Sequence, residues 1–329
     1  MKKHLTLLAC LIVMSSCSTK NSEGPPFTNE FKGDNKEEAL EQGPIYASFT
    51  LNTQEFMTPD LSLEVIERLV ELHEDYSIPV DIFFADFLVQ TLDETEIFEE
   101  LADNDLVAIS YHVRQPMPQA GGYTTLDWDS MKYEERYENY LAYESFTIDP
   151  ESAELSSAPG GYSYLKELIG YAPYAVGLPL EDDALIDVYE SMGAQYAANH
   201  TKDSFMLNEP IGELMYRPET FEVPLYKLDI EKLEKKLDDI LSRESDEPIF
   251  INFKIHDKDF FADASAWTLI YVHHKPPYDL EGFYSEVNFL TEEEQESIWE
   301  LYEYALDYID SHNEIWAINL NELTEIVDF

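Results

Sequence analysis

The stretch Ser62–Asp86 reads SLEVIERLVELHEDYSIPVDIFFAD and contains the two patterns that decide the fold, a helical period and an apolar run. Its first part, Ser62–Tyr76, repeats apolar residues at intervals of three and four, which predicts an amphipathic helix. The nearly unbroken apolar run Val80–Ala85 comes directly after Pro79 and is typical of a strand that is buried on both faces. A helix that leads at once into a fully buried strand predicts an α/β domain with a mainly parallel sheet.

Runs of the same two kinds continue on both sides of this stretch. Further strands are predicted at Ile45–Leu51, Leu106–Tyr111, Ile249–Lys254 and Ile315–Asn319. Further helices are predicted at Glu94–Ala102, Met131–Tyr143, Leu165–Gly170, Ala184–Met192, Ile230–Leu241, Thr291–Ser311 and Glu322–Val327. This order fits one α/β barrel or one doubly wound domain, and in both architectures the sites lie at the carboxyl ends of the strands.

The first residues read as an export signal. Lys2 and Lys3 precede an apolar core, Leu5–Met14, which is too short to span a bilayer as a helix. Ser15-Ser16-Cys17 follows and resembles the lipobox of bacterial lipoproteins, in which the signal is cut before a cysteine that becomes lipidated. The resemblance implies a signal peptide at 1–17, lipidation at Cys17 and a lipid anchor in the bacterial cell envelope, at the outer membrane or cell surface. An ordinary signal peptide that is cut elsewhere is the alternative.

Composition limits what the rest of the chain can do. Residues 18–43 are polar and lack a hydrophobic period, so we expect a flexible tether before a domain at 44–329. The only two cysteines, Cys10 and Cys17, precede this tether, so the domain can have neither a disulfide nor a zinc–thiolate site. The formal net charge of −48 would repel a phosphate backbone or an anionic membrane. Nucleic acid is therefore excluded as a partner, and membrane contact is expected through the lipid alone.

Polar side chains follow three of the predicted strands. Asp86 follows the strand at 80–85, the next strand ends in Tyr111-His112-Val113-Arg114, and the strand near 250 ends in His256-Asp257-Lys258-Asp259. Because such ends meet at one edge of a parallel sheet, two histidines and nearby carboxylates could bind one divalent metal, and these ligands suit zinc, manganese or nickel. The competing interpretation is that each histidine is a hydrogen-bonded structural residue.

The order of these elements resembles that of the NodB-homology polysaccharide deacetylases, also called carbohydrate esterase family 4. Five segments are similar to motifs of that family: Leu69–Phe84, Leu106–His112, Ser157–Gly161, Phe250–Asp257 and Glu314–Leu323. The resemblance extends over nearly all of 44–329. It implies a single distorted (β/α) barrel that acts on a polysaccharide or glycan with one divalent metal.

Several residues depart from the family pattern. The first strand of the family ends in two aspartates, whereas Asn52 and Thr53 stand here, and an asparagine amide cannot act as a general base. Pro116 occupies the place of a second metal-binding histidine, and Ser157 replaces an arginine. We therefore do not expect the standard deacetylase mechanism.

Two interpretations of the site stay open. In the first, the protein is a cell-surface carbohydrate-active hydrolase with a rearranged site. His112 and His256 then bind the metal, and the carboxylates of Asp86, Asp257 and Asp259 supply the catalytic acid and base. In the second, the catalytic set is lost and the cleft only binds a glycan or a partner protein. A pair of carboxylates that works without metal, as in glycosidases, is a third option.

Four further residues are candidates for substrate binding. Arg114 and Arg217 would orient an anionic sugar, unless they pair with structural carboxylates. Tyr111 and Tyr162 would stack on sugar rings, although most of the 22 tyrosines must serve packing.

Overall fold

The computed structural model describes residues 43–113, 116–117, 126–178, 182–198, 210–212, 214–217, 219–272 and 274–326. The strands are β1 (Ile45–Asn52), β2 (Val80–Ala85), β3 (Val107–His112), β4 (Phe146–Ile148), β5 (Leu155–Pro159), β6 (Ala175–Gly177), β7 (Tyr196–Ala198), β8 (Pro210–Ile211), β9 (Leu214–Tyr216), β10 (Phe221–Pro224), β11 (Ile249–His256) and β12 (Ile315–Ala317). The α-helices are α1 (Pro59–Tyr76), α2 (Asp86–Leu92), α3 (Ile97–Ala102), α4 (Tyr133–Tyr143), α5 (Gly161–Ile169), α6 (Asp183–Met192), α7 (Ile230–Leu241), α8 (Ala266–Tyr271), α9 (Leu280–Tyr284), α10 (Glu292–Ser311) and α11 (Leu320–Ile326).

The first crossover unit, β1–α1–β2, follows directly from its sequence. Pro59 opens α1, where a fixed φ and a missing N–H are tolerated. The helix ends at Ser77, which adopts the left-handed conformation with φ 54°, and Pro79 prevents the helix from continuing. The strand that follows is buried at every position. Apolar side chains on both faces of β2 therefore require packing layers on both sides of the sheet.

The main sheet has ten strands in the order β10-β11-β1-β2-β3-β6-β7-β9-β8, with β12 beside the first half of β1. Within the described residues its neighbours pair in parallel, except for the antiparallel hairpin of β8 and β9. A separate antiparallel pair is formed by β4 and β5. The structure thus confirms the prediction of a mixed α/β domain with a mainly parallel sheet.

This sheet is strongly curled, as the contacts of Arg217 with distant strands show. Arg217 directly follows β9, yet its Nη2 atom lies 2.8 Å from Ser48 Oγ in β1 and 3.0 Å from Asp81 Oδ2 in β2. In strand order β9 and β2 are four steps apart, which is about 19 Å across a flat sheet at 4.8 Å per strand. No side chain has that reach, so the sheet must curve until β9 faces β1 and β2. The four residues 217–220 then lead directly into β10 at the opposite end of the strand order.

The curl divides the sheet into an outer and an inner face, which alternate along every strand. On β1, Ala47, Phe49 and Leu51 point outward into the large core beneath the helices. The residues between them point inward, where a smaller apolar cluster fills the amino-terminal end of the enclosed space. That cluster consists of Tyr46, Phe83, Ala108, Ala175, Tyr196, Phe250, Ile318, Leu320 and Leu323. The carboxyl-terminal end of the inner face is polar, and this end contains the candidate site.

Sequence periodicity located the long elements well and missed the short ones. The helix at Ile230–Leu241 has the predicted bounds, and α10 begins with the capping box that its first residues Thr291–Glu294 indicate. The segment between the strands β3 and β11 was predicted to contain only helices, but its described residues include seven strands of two to five residues. A strand of that length has no measurable period and forms because a neighbouring strand pairs with it.

The predicted signal peptide and most of the predicted tether lie outside the described residues, as do Cys10 and Cys17. Among the helices of the described ranges, none is both long and apolar enough to cross a membrane.

Candidate functional site

Polar side chains line the inner face at the carboxyl ends of the parallel strands. In register, Asn52 at the end of β1 pairs with His256 of β11, and Thr50 pairs with Lys254. Paired residues of parallel strands share a face, so these four side chains all point inward. Most of this polar surface is withdrawn from solvent, since Asn52 is 1% exposed and Lys254 is 9% exposed. A largely buried polar surface of this kind requires internal partners or a ligand.

Arg217 and Asn252 form the centre of a hydrogen-bonded network across the enclosed space. The Arg217 Nη2 atom forms an ion pair with Asp81 Oδ2 at 3.0 Å and donates to Asn252 Oδ1 at 2.9 Å. The Asn252 amide also accepts from Thr50 Oγ1 at 2.8 Å and donates to Glu219 Oε2 at 2.9 Å. Burial raises the pKa of Asp81 to about 6, although the Arg217 charge and the Leu320 N–H oppose the rise. Arg217 therefore pairs with a structural carboxylate, which was the alternative to sugar binding.

His256 is held by a carboxylate three residues further along the chain. Its Nδ1 atom lies 2.9 Å from Asp259 Oδ2, and the same oxygen accepts from the His256 backbone N–H at 2.9 Å. Asp259 also pairs with Lys258 Nζ at 2.5 Å. Burial acts to raise the pKa of Asp259, but the hydrogen bond and charge of His256 and the charge of Lys258 outweigh it, and the pKa is lowered. Asp259 is therefore an ionised partner that fixes the imidazole ring.

The other nitrogen of His256 faces away from this partner. Its side chain is 14% exposed, and the ring contacts Tyr226 edge-on at a centroid distance of 5.2 Å. Within the described part of the chain, His256 Nε2 has no hydrogen-bond partner. When Nδ1–H donates its hydrogen bond to Asp259, the Nε2 atom carries the lone pair. This arrangement is chemically competent for proton transfer.

His112 lies three strands away from His256, at the end of β3. It is 2% exposed, its ring contacts Phe83 edge-on at 6.3 Å, and its register partner on β6 is Gly177. A Cβ atom at Gly177 would lie 2.9 Å from His112 Nδ1, so only glycine leaves room for this ring. The two histidines therefore stand on strands that are not neighbours in the sheet.

The residues present do not fit the divalent metal that the family resemblance implies. Within the described ranges, no three His, Cys, Asp or Glu side chains lie close enough together to hold a metal ion. The Nδ1 atom of His256 is bonded to Asp259, and Thr53, in the place of the family's second aspartate, donates its hydroxyl to the Phe83 carbonyl at 3.1 Å. Metal binding by His112 and His256 stays a prediction, because neither belongs to a group of three such side chains within the described residues.

Asp257, which was predicted to be catalytic, makes structural hydrogen bonds in this structure. It is fully buried and accepts hydrogen bonds from the backbone N–H groups of Gln54 and Glu55 at 3.0 and 3.1 Å. It also accepts from Ser62 Oγ at 2.9 Å and from the Lys258 N–H at 2.8 Å. Burial raises the pKa of Asp257, against the effect of these hydrogen bonds. Its oxygens are occupied in holding the segment after β1, so they are not available to a substrate.

Glu55, in the same segment, was not singled out in the sequence. It is fully buried and accepts from the Ala266 N–H at 2.6 Å and from the Met57 N–H at 3.1 Å. Burial raises its pKa to about 8, and the charge of Asp257 adds to the rise. No local sequence signal marks Glu55, since its burial depends on α8, which is more than two hundred residues away.

Asp86 lies apart from His256, two strands away at the start of α2. It lines a shallow cleft with Gln54, Phe56, Phe87, Met117 and Trp267. Its two oxygens accept from the Gly161 N–H at 2.6 Å and from Gln90 Nε2 at 2.7 Å, and burial raises its pKa to about 6. Asp86 therefore anchors the turn before α5, and His256 is not among the residues that line the cleft.

The predicted sugar-stacking tyrosines are buried instead. Tyr111 and Tyr162 are both completely inaccessible and meet edge-to-face at 5.7 Å. Tyr111 alternates with His112 along β3 and so points outward into the main core, while the Tyr162 hydroxyl donates to the Pro173 carbonyl at 2.8 Å. Neither ring can stack on a ligand from this position. Arg114 lies outside the described residues.

No protein-family model matches the chain, and no curated protein matches it. Among solved structures it is similar to a protein from Bordetella bronchiseptica described as a polysaccharide deacetylase involved in O-antigen biosynthesis, with 12% identity, a TM-score of 0.33, and 67% of this chain and 73% of that chain covered. It is also similar to a 4-alpha-glucanotransferase from Thermococcus litoralis, with 12% identity, a TM-score of 0.38, and 77% of this chain and 38% of that chain covered. Likeness at this level does not define a family.

Proposed function

We propose that this protein is a carbohydrate-active hydrolase of the bacterial cell surface in which His256 and Asp259 form the acid–base group. The observation that carries the proposal is the 2.9 Å contact between His256 Nδ1 and Asp259 Oδ2 at the carboxyl end of a curled parallel sheet. Parallel α/β sheets bind substrates at that end. A distorted (β/α) barrel of the polysaccharide deacetylase type is consistent with this location and with the five similar sequence segments.

The dyad has a defined role in hydrolysis. Asp259 accepts a hydrogen bond from Nδ1–H. It thereby holds the ring in one orientation and stabilises the imidazolium when that ion forms. His256 Nε2 takes a proton from the attacking water and then returns it to the leaving group. In this route a histidine activates the water, which a metal ion does in the family mechanism. The described residues contain no group of three His, Cys, Asp or Glu side chains that could hold such an ion.

The proposal includes the cell envelope as the place of action. The lipobox-like sequence before Cys17 supports a lipid anchor, and the polar segment that follows would let the domain reach a polysaccharide outside the membrane. The strongly acidic composition supports a partner that is not nucleic acid.

The test is turnover by the purified chain on N-acetylated and O-acetylated oligosaccharides and on unmodified polysaccharides. Release of acetate and formation of new reducing ends distinguish deacylation from glycosidic cleavage. We expect His256→Ala to lower kcat by about 10²–10⁴-fold, the usual contribution of general acid–base catalysis. The matched control is His312→Ala, which removes an imidazole that stacks on Tyr308 at 4.1 Å on the outer helix α10. Equal activity of both variants and the parent chain would contradict the proposal.

A non-catalytic glycan-binding protein is the second candidate, and one observation favours it. The two family aspartates of the first strand are Asn52 and Thr53 here, and the Thr53 hydroxyl is used to join β1 to β2 through the Phe83 carbonyl. If the site is inert, glycan binding should occur without turnover and should survive His256→Ala. Any turnover that depends on His256 excludes this candidate.

A further inference from the structure

The cleft at the carboxyl end of β2 combines aromatic rings with two polar side chains. Phe56, Phe87 and Trp267 line it, and each of them is partly exposed. The rings of Phe56 and Phe87 meet edge-on, with centroids 5.1 Å apart and planes inclined at 63°. Gln54 and Asp86 add an amide and a carboxyl group to the lining. The proposed hydrolysis uses none of these side chains.

Asp86 is a buried carboxylate whose described hydrogen-bond donors are both neutral. It is 4% exposed, and its oxygens accept from the Gly161 N–H and from Gln90 Nε2. Among the described residues, no lysine or arginine forms an ion pair with it. Burial raises the pKa of Asp86 to about 6, so the group is ionised at pH 8. Because buried charges in proteins are as a rule paired, this carboxylate is suited to bind a cation.

Gln54 provides a second, independent sign of a ligand. It is 6% exposed, and within the described part of the chain its side-chain amide has no hydrogen-bond partner. Its backbone N–H, in contrast, donates to Asp257 at 3.0 Å, so the residue is fixed in place. Buried polar groups are usually paired, and this one lines the cleft. The carbonyl oxygen of the amide can therefore accept a hydrogen bond from a donor that enters there.

The size of the cleft limits what can enter it. With its open mouth the cleft measures about 320 Å³, but its enclosed part has room for roughly one water-sized group. A sugar ring is too large for that part, whereas an ammonium head group is about as large as a water molecule. Ammonium groups are also attracted to aromatic ring faces within about 6 Å. Size and lining thus favour the same kind of group as the unpaired carboxylate.

We propose that this cleft binds the protonated amine of a small ligand. The ammonium group donates hydrogen bonds to Asp86 and to Gln54 Oε1, and the carbon body of the ligand lies against the aromatic rings. The net charge of −48 favours the approach of a cation. The inference goes beyond the proposed function and does not depend on it, since it assigns a binding site and no reaction.

The experiment is a titration of the full chain at pH 8 with cyclohexylamine, which is protonated at that pH, and with cyclohexanol as its neutral analogue. Tryptophan fluorescence reports binding, and Trp267→Phe should abolish the change, which assigns the signal to the cleft. Potassium chloride keeps the ionic strength constant, so the general attraction of an acidic chain for cations is the same throughout. We expect cyclohexylamine to bind at least about tenfold more tightly than cyclohexanol, because hydrogen bonds to charged groups are the stronger ones.

Two variants test the two polar groups separately. Asp86→Asn removes the charge, and its amide can still accept from the Gly161 N–H and donate to Gln90 once that side chain is turned. It should weaken cyclohexylamine binding by about 10–100-fold and leave cyclohexanol binding unchanged. Gln54→Leu removes no side-chain hydrogen bond of the described fold and should weaken cyclohexylamine binding by about 2–10-fold. Asp263→Asn is the matched control, since it removes the same charge from an exposed position.

The possible results separate clearly. Tighter binding of the amine than of the alcohol, weakened by Asp86→Asn and by Gln54→Leu but not by Asp263→Asn, supports the inference. Equal binding of amine and alcohol overturns it, and so does the absence of any fluorescence change. Equal weakening by Asp86→Asn and Asp263→Asn also overturns it, because binding then follows only the overall charge. The titration measures binding and not turnover, so its failure leaves the proposed hydrolysis untouched.

Discussion

At the scale of single residues, the chemistry of His256 depends on the carboxylate that orients it. Asp259 is 6% exposed and receives both the His256 Nδ1 contact and the His256 backbone N–H. Because both bonds come from a residue only three positions away, the dyad is built into one turn after β11. A carboxylate placed in this way selects one tautomer and one ring orientation.

Asp259→Asn should retain the fold and impair proton transfer. The Asn amide can present its NH2 group to Nδ1, which favours the wrong tautomer, so we expect kcat to fall by about 10²-fold or more with little change in KM. The downfield Nδ1 proton signal of His256 should also disappear from the NMR spectrum. Asp263→Asn is the control, since that exposed carboxylate bonds only to Asn288. A parental kcat for Asp259→Asn would contradict the role of the dyad.

At the scale of elements, the segment between β1 and α1 is held by two buried carboxylates. Asp257 binds the N–H groups of Gln54 and Glu55, and Glu55 in turn binds the N–H of Ala266 at the start of α8. These contacts join the ends of β1 and β11 to helices that are distant in sequence. The segment therefore has a defined shape at the rim beside Asn52 and His256, although it contains no regular secondary structure.

Asp257→Asn should destabilise the domain. An amide replaces one accepting oxygen with an NH2 group, which then faces backbone donors that lose their partner. We expect the free energy of unfolding to fall by about 2–4 kcal/mol, as measured by urea denaturation. The control is Asp239→Asn, on the exposed face of α7, which should change the free energy of unfolding by less than about 0.5 kcal/mol. Equal stability of the two variants would show that Asp257 does not hold the segment.

At the scale of the whole domain, the ion pair of Arg217 and Asp81 joins opposite parts of the curled sheet. Its atoms are 3.0 Å apart, and both side chains are almost fully buried. Asp81 Oδ1 also accepts from the Leu320 N–H at 2.8 Å, which ties the start of α11 to the same point. Breaking a buried pair by removing one member leaves an uncompensated charge, and this costs about 3–5 kcal/mol.

Arg217→Met should therefore destabilise the domain more at high pH than at low pH. The pKa of Asp81 in the fold is about 6, above its usual 3.8, so protonation of Asp81 favours the folded state, and that contribution is lost as pH rises through 6. Without Arg217 the pKa of Asp81 rises further. We expect a loss of about 1 kcal/mol at pH 5, from the hydrogen bonds alone, and about 3–5 kcal/mol at pH 8.

Urea denaturation at the two pH values measures this difference. The double variant Arg217→Met with Asp81→Asn should lose the same stability at pH 5 and pH 8, because no titrating carboxyl then remains at the pair. A penalty for Arg217→Met that does not grow with pH would contradict the buried ion pair.

Sequence reasoning could reach the fold class and part of the site. Ser62–Ala85 predicted a helix and a buried strand, and both are present, because a helical period of three to four and an unbroken apolar run are patterns that a few residues define. His256, Asp257 and Asp259 were predicted as site residues because three polar residues follow an apolar strand directly, but the sequence did not predict the contact between His256 and Asp259.

What the sequence by itself determined were these local features: the long helices and strands, the parallel sheet class and the polar residues that follow β11. The tertiary structure alone decided that Arg217 contacts Asp81, that Tyr111 and Tyr162 are buried in the core, and that Asn52 pairs in register with His256. These outcomes depend on strand order and on the curl of the sheet, which arise from contacts between residues that are far apart in the chain. No short stretch of sequence contains that information.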